Sequence, residues 1–159
     1  MKKILLLIAF AFSITTNAQS FNEDKTSFSS FIKRMYNVTP FEGVKIVHDY
    51  DHQYLISVIS LEKAKFTSES IMNRVAQVKA QSQASTFLNG ATISMDLIIT
   101  TKETKDSGNN LKTIVETVEQ IKQNSVGFSQ GLELLTNFDN TDSRRMIYFY
   151  IRELKKEAK

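Results

Sequence analysis

The chain has 159 residues, one proline, no cysteine, and 20 basic against 17 acidic side chains, for a formal net charge of +3. Without cysteine, a disulfide frame, a thiolate metal site and the lipid-anchored cysteine of bacterial lipoproteins are excluded. Lys and Arg alternate with Glu and Asp along the chain, and the one basic cluster, Lys155, Lys156 and Lys159, stands beside Glu153 and Glu157. That pattern is not the concentrated basic face of a nucleic-acid binder.

Lys2 and Lys3 precede an apolar run from Ile4 to Ile14, the order of a signal peptide. The run is shorter than the roughly 20 residues that a bilayer core demands. Thr16 and Ala18 are small enough for the peptidase pockets that accept the side chains before a cut. The pattern predicts a signal peptide over residues 1–18, cleavage after Ala18 and a new terminus at Gln19, with the mature chain exported to the periplasm or beyond. Residues 19–159 lie in the one-domain range of roughly 100 to 150 residues.

Phe28, Phe31, Ile32, Met35 and Tyr36 recur at helical spacing and predict a helix over about 25–37, ended by Thr39 and Pro40. Val44, Ile46 and His48, then Tyr54, Ile56 and Val58, predict two strands joined by a short turn. The second strand is apolar on both faces through Leu61, as a central strand is. Thr67 or Ser68 caps the next helix, of about 67–89, which Gly90 ends. Its expected buried face holds Ile71, Met72, Val75, Ala76, Ala80, Ala84, Phe87 and Leu88, and the three alanines make it thin enough for close contact with a sheet.

Ile93, Met95, Leu97 and Ile99 alternate like a strand, and the polar stretch from Lys102 to Asn110 reads as a loop. Leu111, Ile114, Val115, Val118 and Ile121 fit one helical stripe, although their Thr and Val content leans toward strand. Gly127 and Gly131 mark a bend before a strand through Leu132, Leu134, Thr136 and Phe138. After the turn-rich Asp139 to Ser143, Met146 to Leu154 closes a hairpin. Ile147, Phe149 and Ile151 are its expected core side. Tyr148 and Tyr150 are left to a second layer or a partner surface. The predicted fold class is α+β, a single domain of helices packed on one mainly antiparallel sheet of four to five strands.

The Ala-rich helix, the polar region, the small-residue segment Ser125 to Gly131 and the closing hairpin through Leu134, Phe138, Tyr148 and Tyr150 give residues Phe66 to Leu154 a family likeness. This stretch resembles the Lpp-twenty type of bacterial envelope lipoprotein domain, also found within flagellar assembly proteins. The resemblance implies a helix-on-sheet envelope module with a structural or adhesive role and no catalytic residues. The chain departs from that family in lacking the lipidation cysteine.

The two histidines fall in one segment with two carboxylates: His48, Asp49, Asp51 and His52. Imidazole and carboxylate together suit zinc or another divalent ion, provided that three or four converge at about 2.0 to 2.2 Å. A polar hairpin turn accounts for the same residues, and on an unbroken alternating strand His48, Tyr50 and His52 would share a face with both Asp residues turned away. No Gly-x-Ser-x-Gly elbow and no phosphate-cradling glycine cluster occurs, so neither hydrolase nor nucleotide chemistry is indicated and no cofactor is expected. The expectation is a non-enzymatic exported envelope or secreted domain with a structural, adhesive or macromolecule-binding role. Its partner would be another envelope protein or a second copy of itself, with Tyr148 and Tyr150 at the interface. The alternative is a periplasmic small-ligand or metal-binding protein using His48 to His52.

Overall fold

The computed structural model describes residues 16–49, 52–90, 97–100 and 125–154, together with residues 112, 114–116, 118, 119 and 121; for 16–24 and 100 it describes the backbone alone. The chain divides into two compact units, Met1–Pro40 and Phe41–Lys159. The expected α+β architecture is complete within the second unit. The helix expected over 25–37 belongs to the first.

In the first unit α1 spans Thr16–Val38 and so starts well before the expected Lys25. The stretch 16–24 carries no Pro or Gly to break it, and the apolar spacing used to place the helix marks only where side chains are buried. Phe28, Ile32 and Tyr36 are buried at successive turns, with Phe31 and Met35 half-buried. The helix ends before Pro40, where the Thr39 N–H still reaches the Met35 carbonyl at 3.0 Å.

In the second unit β1 (Gly43–Asp49) and β2 (His52–Glu62) form an antiparallel hairpin. A short 3-10 turn at Lys63–Lys65 leads to α2, Glu69–Gly90, whose Ile71 N–H is capped by the Ser68 hydroxyl at 3.3 Å. β3 is Ile98–Thr100, shorter than the expected strand; Leu97 lies in a 3-10 turn, and Ile93 and Met95 fall outside the described residues. The described residues of the 112–121 segment are helical, and the loop expected over 102–110 lies outside the description. α3 (Ser125–Gln130) then precedes the hairpin of β4 (Glu133–Asp139) and β5 (Arg145–Glu153). Gly127 therefore sits inside a helix, and only Gly131 makes the bend.

The sheet order is β3-β1-β2-β5-β4, antiparallel throughout except for the parallel pair β1 and β3. β2 is central, which is why it is buried from Leu55 to Leu61 on both faces. Direct cross-strand partners share a face, so Val44, Ile46, Leu55, Ile59, Leu61, Tyr148 and Tyr150 lie on one side. That side forms a core cluster with Met72, Ala76, Ala80, Ala84 and Leu88 of α2 and with Ile114 and Val118.

The buried stripe of α2 is narrower than its sequence suggests. Met72, Ala76, Ala80, Ala84 and Leu88 are buried at four-residue steps, Val75 and Phe87 are half-buried, and Ile71 is 47% exposed. With Met and Leu at the ends and only methyl groups between, the middle of the helix sits near enough for the fully buried Ser57 hydroxyl to donate to the Ala80 carbonyl at 3.3 Å.

A register shift between Leu134 and Thr136 interrupts the β4 and β5 ladder. The bulge resets alternation: Leu134 faces the α2 side with Tyr150, whereas Phe138 takes the other face and stacks on Phe149 at 5.8 Å between centroids. The common face expected for Leu134, Thr136 and Phe138 is thus divided. The hairpin closes through Asn140, whose N–H and side-chain oxygen bond Arg145 O and N at 2.9 Å, with Ser143 at φ 56°.

Ala80→Leu is expected to overpack the contact between α2 and the sheet and to destabilise the protein by about 1 to 3 kcal/mol. Ser82→Leu, on the exposed side of the same helix, should change stability by less than about 0.5 kcal/mol. Chemical denaturation of both variants checks this, and equal midpoints would mean that the alanine stripe does not meet the sheet.

Candidate functional site

The hairpin of β1 and β2 divides the four proposed metal ligands. Asp49 pairs directly with His52, so these two share a face, while His48 pairs with Gln53 on the opposite one. The expected hairpin turn is what the structure has: a chain reversal lies between Asp49 and His52, and it brings these residues, three apart, onto one face. His48 is buried and His52 exposed. Asp51 lies outside the described residues.

Glu153, which the sequence did not single out, comes to His52 from the end of β5. Its Oε1 lies 2.7 Å from the imidazole Nδ1, and the His52 ring stacks on Tyr54 at 6.1 Å. Asp49, His52 and Glu153 therefore gather at one end of one sheet face. Among the described residues no three His, Cys, Asp or Glu side chains are placed to hold a metal ion.

The two proposed interface tyrosines are interior residues. Tyr148 is fully buried and Tyr150 is 4% exposed, both in the cluster against α2. Their hydroxyls explain why this face tolerates them: Tyr148 donates to the Asn73 side-chain oxygen at 2.7 Å and Tyr150 to the Asn73 backbone carbonyl at 3.4 Å. A buried phenol with a partner fills a core as well as a phenylalanine does. Ile147 and Phe149, the expected core side, are buried on the opposite face, so the tyrosines belong to the second layer and not to a partner surface. β5 lies between β2 and β4 and has two buried faces.

Two arginines of β5 brace the ends of the sheet. Arg145 donates from Nε to the Ser60 hydroxyl at 2.5 Å and from Nη2 to the Ser60 carbonyl at 3.0 Å, and it meets Glu42 at 3.2 Å. Arg152 donates from Nη1 to the Gly127 carbonyl at 2.8 Å and to that of Phe128, and its guanidinium lies 4.5 Å from the Phe128 ring centroid. It thereby neutralises the carbonyl end of α3. A Cβ at Gly131 would meet this guanidinium, so a larger residue there would require Arg152 to shift. In sequence both arginines look like ordinary strand-surface charges, and only the register reveals their targets.

No protein-family model, no curated protein and no solved structure matches the chain. The envelope-module resemblance therefore rests on sequence pattern alone.

Burial pushes the Tyr150 phenol up to about 12, helped by Tyr148 beside it. The Tyr148 phenol is also raised, first by burial and then by the negative charge of Glu69. In the unfolded chain both release a proton near pH 10, roughly the free tyrosine value. Above that pH the unfolded state binds fewer protons than the folded one, so stability falls as pH rises. Melting temperature should drop between about pH 10 and 12 more steeply in the wild type than in Tyr148→Phe/Tyr150→Phe. Parallel pH profiles would show that the hydroxyls are not shielded in the folded state.

Proposed function

We propose that this chain is an exported, non-enzymatic domain that binds another protein of the envelope or of the cell exterior. The observation that carries this is the employment of its polar side chains. Tyr148 and Tyr150 are bonded to Asn73, Arg145 to Ser60 and Glu42, Arg152 to the end of α3, and His52 to Glu153. Each joins one element of the fold to another, which suits a rigid presenting scaffold. An acid–base relay instead needs such groups to converge on one reacting atom. The signal-like start, Lys2 and Lys3 before the run Ile4 to Ile14, supports export.

For the contact itself we favour the outer edge of β4. Among the described residues β4 pairs on one side only, and it carries Leu134 at 47% exposure. A strand at the edge of a sheet can accept an extended segment of a partner through main-chain hydrogen bonds, with alternate side chains giving selectivity.

A second proposal, a metal or small-ligand protein, draws on the His52 and Glu153 pair at one end of the sheet, to which a metal would have to add ligands from outside the described residues. A ligand that binds only the folded state raises its melting temperature. An increase with zinc, copper or nickel that disappears in His52→Ala would favour this alternative.

Partner binding is tested by pull-down of the mature chain from its native envelope, in parallel with Leu134→Lys. Leu134 is an exposed edge residue, so the variant should melt within about 0.5 kcal/mol of the wild type. A co-purifying protein that the wild type retains and Leu134→Lys loses is the expected outcome. Full retention by the variant would move the contact away from β4, and light scattering on the pure chain would show whether the partner is a second copy.

A further inference from the structure

The expected cut after Ala18 falls inside α1, whose helical backbone runs from Thr16 past Gln19 to Val38. Cleavage there makes Gln19 both the first residue of the mature chain and the first residue of what remains of the helix. We propose that this terminus is a modification site, at which Gln19 closes on itself to form pyroglutamate. The inference rests on the export proposal and deepens it.

The chemistry is contained in the one residue. A terminal glutamine holds its free α-amine close to its own carboxamide carbon, so that the attack is intramolecular and gains the advantage of proximity. The α-amino group titrates at about 7.7 to 8.0, so a substantial neutral fraction exists in mildly alkaline surroundings. The neutral α-nitrogen attacks Cδ and the ring N–Cδ bond forms as the Cδ–Nε2 bond breaks. One proton passes from the attacking nitrogen to the departing one, and ammonia leaves. No electrons are gained or lost and no co-reactant is consumed.

The helix adds a physical reason for the closed form. A free α-ammonium at Gln19 would set a positive charge at the positive end of the α1 dipole, the sign that this end disfavours. No acidic side chain stands in the first turn, Gln19 to Asn22, to offset that charge. The lactam is neutral. A lactam also lacks the free amine by which aminopeptidases grip a chain, a useful property for a protein outside the cytoplasm.

The test is mass spectrometry of the full-length gene product, purified cold and slightly acidic from the exported fraction to prevent closure during handling. Wild type and Gln19→Ser are compared. The expected result is an N-terminal peptide starting at Gln19 and lighter by one ammonia, blocked to stepwise degradation until a pyroglutamyl peptidase is added, with Gln19→Ser cut at the same bond and unblocked. A free α-amine at Gln19 would overturn the ring closure and leave export intact. A terminus at Met1 would overturn both, and a blocked Gln19→Ser would show that the block is not this lactam.

Discussion

The close approach of α2 to the sheet is the constraint on which the rest of this unit depends. Three alanines at one-turn spacing, all fully buried, remove every side-chain atom beyond the methyl from the middle of the contact. The Ser57 hydroxyl reaches the Ala80 carbonyl only because nothing larger intervenes. Closeness in the middle leaves room for bulk at the ends, where Met72 and Leu88 lie. Each such fully buried side chain stabilises the fold by about 1.5 to 3 kcal/mol.

The same closeness explains the two tyrosines. Near the start of α2 the gap holds Asn73, and a polar residue half-buried beside a core needs partners for its amide oxygen and its backbone. Tyr148 and Tyr150 supply both from adjacent same-face positions of β5, with their rings stacked at 6.4 Å. Burial then holds both phenols in the protonated form that donates. Helix, strand and hydroxyls thus form one unit in which neither tyrosine is available to an outside partner.

Element types and their order were legible in the sequence because they follow from local periodicity. The helix over about 67–89, the helical stripe through Ile114, Val115, Val118 and Ile121, the central position of β2 and the closing hairpin all follow from spacing. Facial assignments depend on where the alternation is reset. The expected hairpin puts Asp49 and His52 on one face and His48 on the other, whereas the bulge near Thr136, which turns Phe138 away from Leu134, has no signal in the local pattern. The choice for Tyr148 between a second layer and a partner surface stayed open in the sequence, because a hydroxyl argues for the surface only until its acceptor is known. That acceptor, Asn73, is 75 residues away in the chain. The partners of Arg145 and Arg152 were hidden for the same reason, since register is a property of two strands together.

The way polar groups are spent bears on what kind of protein this is. An enzyme keeps strong donors and titrating groups in a cleft, where their hydrogen bonds are satisfied only when substrate arrives. Here the arginines of β5 end on carbonyls, a hydroxyl and a carboxylate within their own unit, and the tyrosines end on α2. Such bonds tie the sheet to its flanking turns and to α2. Ordering in advance lowers the conformational entropy lost when a partner docks, which is the physical support for the proposal that a partner binds here. The edge of β4 belongs to this frame through its ladder with β5, and Lys63 holds its far end by an ion pair with Asp139 at 2.5 Å. In the proposed edge contact, main-chain groups already ordered by the β5 ladder would meet the incoming segment, so that only that segment would have to be ordered on binding.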